Sequence, residues 1–178
     1  MMLKGDYYSK WLRTLEKNRE IIRCEFSSLS AVQLNYHVHI HNCSIVEILN
    51  NLVRIQNKVI PKIDGHMDKL EKTTFRVAYQ PGYFSGFLIR LSPGLTCKTG
   101  NNVLISSIGE LTGELSGQNM KLENLVHQSV QYNINNRIIR FGYMNIWRVS
   151  MGDLFDMVTK CQQKHIVLAR RILMLQNL

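Results

Sequence analysis

Three histidines stand at alternate positions, His37, His39 and His41, at the end of the run 32–41. On a β-strand, alternate side chains share a face about 6.5–7 Å apart. Two imidazoles at that spacing chelate zinc when a neighbouring strand delivers a third ligand. No Asp, Glu or Cys stands at a matching spacing, and the sequence does not single out His66, His127 or His165 as the third. The same row reads equally as the polar face of a half-buried strand, because Val32, Leu34, Tyr36, Val38 and Ile40 fill the other parity. Imidazoles that titrate at about pH 6.5 would there sense acidification rather than bind metal. The expectation is pH sensing by His37, His39 and His41, and no metal.

Other catalytic templates do not appear. The chain has no G-x-S-x-G, no H-E-x-x-H, no Walker or Rossmann glycine pattern and no carboxylate pair in a recognisable frame. Residues 109–117 place glycine at every fourth position, but Glu110 and Glu114 stand between the glycines and no Lys follows the last one. Such a loop repels phosphate, so the stretch reads as a turn-rich connection. A non-enzymatic protein without cofactor or small-molecule substrate is expected.

Charge carries the functional signal. The 178 residues hold 22 Lys and Arg against 13 Asp and Glu, a net charge of +9. Residues 1–23 contribute +3, Lys4, Lys10, Arg13, Lys17, Arg19 and Arg23 against Asp6, Glu16 and Glu20, and residues 137–178 contribute +5. The body between them sums to only +1. Two basic ends favour anionic partners, either nucleic acid or an acidic lipid surface. The candidate contact set is Lys4, Lys10, Trp11, Arg13, Lys17, Arg19, Arg23, Arg137, Arg140, Lys164, Arg170 and Arg171. The segment Arg137-Ile138-Ile139-Arg140-Phe141-Gly142-Tyr143 interleaves basic and aromatic residues as base-stacking strands do. The shared parity of Ile139, Phe141 and Tyr143 also fits a hairpin strand with one core face.

The elements that must position these residues follow from periodicity. Tyr8, Trp11, Leu15 and Ile22 mark an amphipathic helix over 6–23, interrupted at Asn18 and Arg19. Its aromatic and basic mixture suits a membrane interface, and its stripe equally suits packing on the body. Alternation predicts a strand over 32–41, and the capping box Ser44–Glu47 opens a helix that Pro61 ends. Strand candidates follow at 73–79, 84–91 and 102–108. Val130, Tyr132 and Ile134 lead through Asn135-Asn136 into a second hairpin strand over 137–149, and Ser150 with Asp153 starts a final helix. This order predicts an α+β fold, an antiparallel sheet with helices packed on one side in a single compact domain. Residues 1–29 form a basic helical arm and 30–178 the globular domain, which ends in a basic helix. The first 25 residues hold charges and no apolar run of signal-peptide length, and no segment is apolar enough to span a bilayer. Cys24, Cys43, Cys97 and Cys161 are widely spaced and expected as free thiols in a reducing compartment.

The order of strand 32–41, helix 44–57, return strand near 59–63, then a hairpin and helix over 130–160 resembles the globular domain of rhabdovirus matrix proteins. The basic, aromatic N-terminal segment and the pI near 9.6 are similar in kind, and the Ala-poor composition resembles the plant-infecting cytorhabdoviruses. The chain lacks the Pro-Pro-x-Tyr motif of animal-virus members. The resemblance implies a self-associating structural protein that bridges acidic membrane and ribonucleoprotein, found in the virion and the host cytoplasm as a peripheral membrane protein. A stand-alone RNA-binding protein such as a silencing suppressor, or a small His-based metalloenzyme, are the alternatives.

Overall fold

Apolar side chains at every third or fourth residue wind Asp6–Ile21 into a helix (α1), and a π-turn at Ile22–Phe26 prolongs its buried stripe. The computed structural model describes residues 6–37, 43–74, 78–81, 108–141 and 147–176. Within them lie α2 (Ala31–Asn35), α3 (Ile45–Asp64), α4 (Ile108–Gln128), β1 (Ile139–Phe141), β2 (Trp147–Val149) and α5 (Met151–Gln176). The described chain is mostly helical, with one small antiparallel ribbon of two strands. It is α+β only in that coarse sense.

The four long helices pack on one another, α3 and α1 each against both α4 and α5. They share two apolar clusters. One gathers Trp11 and Leu15 of α1, Ile60 and Ile63 of α3, Leu122 and Val126 of α4, Leu154 and Val158 of α5, and Ile139 and Val149 of the ribbon. The other gathers Ile22 and Phe26, Leu49 and Leu52 of α3, Leu111 and Leu115 of α4, and Ile166 and Ile172 of α5. Each such side chain contributes about 1.5–3 kcal/mol through burial. In sequence, each of the four long helices passes from one cluster to the other through a buried amide: Asn18, Gln56, Asn119 and Gln162.

Local capping works as the sequence predicts at two helix starts. Ser44 Oγ accepts from the Glu47 amide while Glu47 Oε2 accepts from the Ser44 amide, opening α3. Ser150 and Asp153 exchange the same pair of bonds at the start of α5, and Tyr79 donates its hydroxyl to the second Asp153 oxygen at 2.8 Å. The final helix then runs unbroken for 26 residues.

Several expectations are corrected. Residues 31–35 are helical, not a strand, because Ser30 and Gln33 form a capping box and the apolar parity does not share one face: Leu34 is buried, but Val32 is 80% and Tyr36 46% exposed. Pro61 does not end α3, and 59–63 is not a return strand. Val59, Ile60 and Ile63 continue the buried stripe, and their burial keeps the last turns helical although Pro61 has no N–H to donate to the Asn57 carbonyl. Residues 109–117 are not a connection but the first turns of α4. Their glycines share the solvent face, while Leu111 and Leu115 bury the opposite one. Asn135-Asn136 is not the hairpin turn. Residues 129–131 form a 3-10 turn, Tyr132 bridges Lys72, and both ribbon strands come from within 139–149. Cys43 is disulfide-bonded, which overturns its expected thiol, whereas Cys24 and Cys161 form no disulfide. The strand candidate at 84–91, most of that at 102–108, and Phe75 and Val77 lie outside the described residues.

Candidate anionic-partner surface

Lys10, Arg13 and Lys17 fall within one narrow arc of α1 because they stand three and four residues apart. All three are exposed, and none forms an ion pair among the described residues. The opposite face of the same helix is buried. Trp11 is 1% exposed, with its ring centroid 5.2 Å from Tyr79, 5.4 Å from Phe155 and 5.5 Å from Tyr8. Its expected place at a membrane interface is therefore corrected: indole and phenol fill the core, since burying such large rings among aromatics stabilises more than exposing them. The outward side of α1 carries these three cations beside the exposed Glu16 and Glu20.

Three predicted contact residues are instead committed to carboxylates. Arg19 donates to Glu123 of α4 at 2.9 Å. Arg170 of α5 makes a bidentate pair with Glu25, both bonds 2.7 Å, and ties α5 to the π-turn. Arg23 pairs with Glu20 on the surface. The Arg23 guanidinium, followed by the Cys24 thiol, holds the Glu20 carboxyl at a pKa of about 2, and in return Glu20 pushes the Arg23 and Cys24 values up.

At the other basic end, Lys164 and Arg171 are exposed on the outer face of α5, seven residues apart. Val167 and Met174 share that arc at 65% and 66% exposure. Arg137 and Arg140 are exposed at β1. The ribbon register sets Arg140 directly opposite Arg148 of β2, with Ile139 opposite Val149 and Phe141 opposite Trp147 on the inward parity. Lys62 of α3 donates to the Arg140 carbonyl at 3.0 Å and lies 5.9 Å from the Phe141 ring centroid. Arg148 and Lys62 were outside the predicted contact set. Only the strand register brings Arg148 to Arg140, and only the tertiary fold brings Lys62 there. Lys4 lies outside the described residues.

Of the histidine row, His37 alone is described. It is not on a strand: its Nδ1 lies 2.8 Å from the Asn35 carbonyl oxygen and its Nε2 lies 3.3 Å from Glu47 Oε2. His39 and His41 lie outside the described residues. Among the described residues no three His, Cys, Asp or Glu side chains are grouped to hold a metal ion, and no helix is long and apolar enough to cross a membrane. No family model, curated protein or solved structure matches this chain.

Proposed function

We propose that this chain is a non-enzymatic structural protein of the matrix class, which attaches to anionic macromolecular surfaces and links an acidic membrane to ribonucleoprotein. One observation carries the reading: α1 presents Lys10, Arg13 and Lys17 on one exposed arc, none of them in an ion pair among the described residues, while its apolar arc is spent on the core. Neighbouring basic residues that have carboxylate partners are structural, so the unpaired ones are the groups left to meet an external anion. Near an acidic bilayer each contributes about 1 kcal/mol, falling with salt. The exposed Lys164, Val167, Arg171 and Met174 add a second basic arc with apolar tips, suited to the headgroup layer. The reading also places the protein in the virion and host cytoplasm, self-associating. It keeps, as its finer fold reading, an antiparallel sheet packed on one side by helices.

Flotation with vesicles tests it. Purified protein rises with acidic vesicles at low salt and not with neutral ones. Failure to rise with acidic vesicles overturns the membrane half of the proposal. The second reading, a protein that binds RNA alone, is favoured by the arginines of the ribbon and predicts RNA binding without any lipid preference.

A further inference from the structure

Arg140 and Arg148 are cross-strand partners on the outward face of a ribbon only three residues long on each side. Both are exposed, and neither forms an ion pair among the described residues. Side chains directly opposite in an antiparallel pair have Cβ atoms about 4.5–5.5 Å apart, and like charges so placed weaken the pairing. In so short a ribbon that repulsion is a substantial part of the balance. The inward parity anchors the ribbon: Ile139 and Val149 are fully buried, and Phe141 and Trp147 pack on the same cluster. The guanidiniums are thus presented from a fixed platform. Lys62 adds a third cation held beside β1 by its bond to the Arg140 carbonyl, and Arg137 a fourth just upstream.

We propose that the Arg140–Arg148 pair is a phosphate clamp for the backbone of single-stranded RNA. This deepens the anionic-partner reading above and rests on it. Two guanidinium forks side by side match phosphodiester oxygens bidentately, which a lysine ammonium does not. A bound phosphate between them turns the cross-strand repulsion into two charge-assisted contacts. RNA is the better match than lipid because, among the described residues, Ile138 at 39% exposure is the one exposed large apolar side chain that this face offers beside its arginines. A headgroup layer draws in more apolar surface than that.

The test is anisotropy of a labelled single-stranded RNA oligonucleotide across a salt series, with acidic-vesicle flotation measured in parallel on the same full-length proteins. Arg140→Gln/Arg148→Gln weakens RNA binding about tenfold at low salt and lowers the slope of log affinity against log salt by about 0.7, the share of the one phosphate that the pair clamps. It leaves flotation unchanged. Arg148→Glu places opposite charges across the ribbon, so it raises the melting temperature while abolishing the same share of RNA binding. A purely structural arginine would show the reverse. An unchanged salt slope in the double variant overturns the clamp, as does equal loss of RNA binding and flotation. Wild-type protein that floats with acidic vesicles but binds no RNA also overturns it, and leaves the membrane half of the proposed function standing.

Discussion

Asn18 Nδ2 donates to Gln162 Oε1 at 2.8 Å, joining α1 to α5 in the buried interior, and Gln162 Nε2 donates in turn to Asn119 Oδ1 of α4 at 2.6 Å. Three helices are stitched by one amide chain between two apolar clusters. Gln56 of α3 is also fully buried, yet neither of its amide atoms has a hydrogen-bond partner among the described residues. A buried amide that is bonded and one that is not behave oppositely on removal.

Asn119→Leu therefore strands the Gln162 amide and lowers stability by about 1–3 kcal/mol. Gln56→Leu removes two unpaired polar atoms from an apolar setting and leaves stability unchanged or higher. Urea unfolding of the two variants checks the contrast. Similar losses in both would show that the amides are not used differently.

Glycine substitutions separate in the same way. A Cβ added at Gly113 or Gly117 meets nothing within 4 Å, so each Gly→Ala change stabilises α4 by about 0.5–1 kcal/mol. At Gly152 the added Cβ falls 2.3 Å from the Tyr79 ring, whose hydroxyl is held by Asp153. Gly152→Ala costs about 1–3 kcal/mol through that overpacking. Melting curves that move Gly113→Ala down or leave Gly152→Ala unshifted would contradict these placements.

The surface triad of Glu20, Arg23 and Cys24 gives a pH signature. The Glu20 value is lowered to about 2 from the ordinary 4.5, chiefly by Arg23, so the pairing is complete above about pH 4.5 and lost as the pH falls toward 2. Cys24 is shifted the other way, chiefly by its 3.1 Å bond to Glu20, so it holds its proton to higher pH than a free thiol. Iodoacetamide modifies Cys24 slowly near pH 8, and Glu20→Gln speeds the reaction. An unchanged rate in that variant would show that Glu20 does not control the thiol.

What was legible in the sequence was what neighbours in sequence decide. The Ser44–Glu47 box and the Ser150–Asp153 start are complete within four residues, so they appear in structure as written. The same logic holds at Ser30 and Gln33, but the alternation through 32–40 is longer and more conspicuous, and it hides the shorter signal. Glycine at every fourth position in 109–117 is helical spacing, yet three glycines suggest turns until their partners Leu111 and Leu115 are seen buried. Asn18 looks like a break in an apolar stripe. Its acceptor lies 144 residues away, so only the assembled fold reveals it as part of the core. The candidate surface divides the same way. Charge totals mark both ends as basic, but which arginines are spent on Glu25 and Glu123, and that Arg148 faces Arg140, depends on tertiary contacts.

The most direct measurement compares two triple neutralisations of equal charge in acidic-vesicle flotation at low salt. The variant Lys10→Gln/Arg13→Gln/Lys17→Gln removes the unpaired arc of α1, and Arg19→Gln/Arg23→Gln/Arg170→Gln removes cations already held by carboxylates. At about 1 kcal/mol per cation, the first loses about 3 kcal/mol, roughly a hundredfold in partitioning, with its melting temperature intact. The second keeps most of its flotation and melts lower. Equal loss in both variants, or none in the first, would contradict the claim that the outward arc of α1 is the attachment surface.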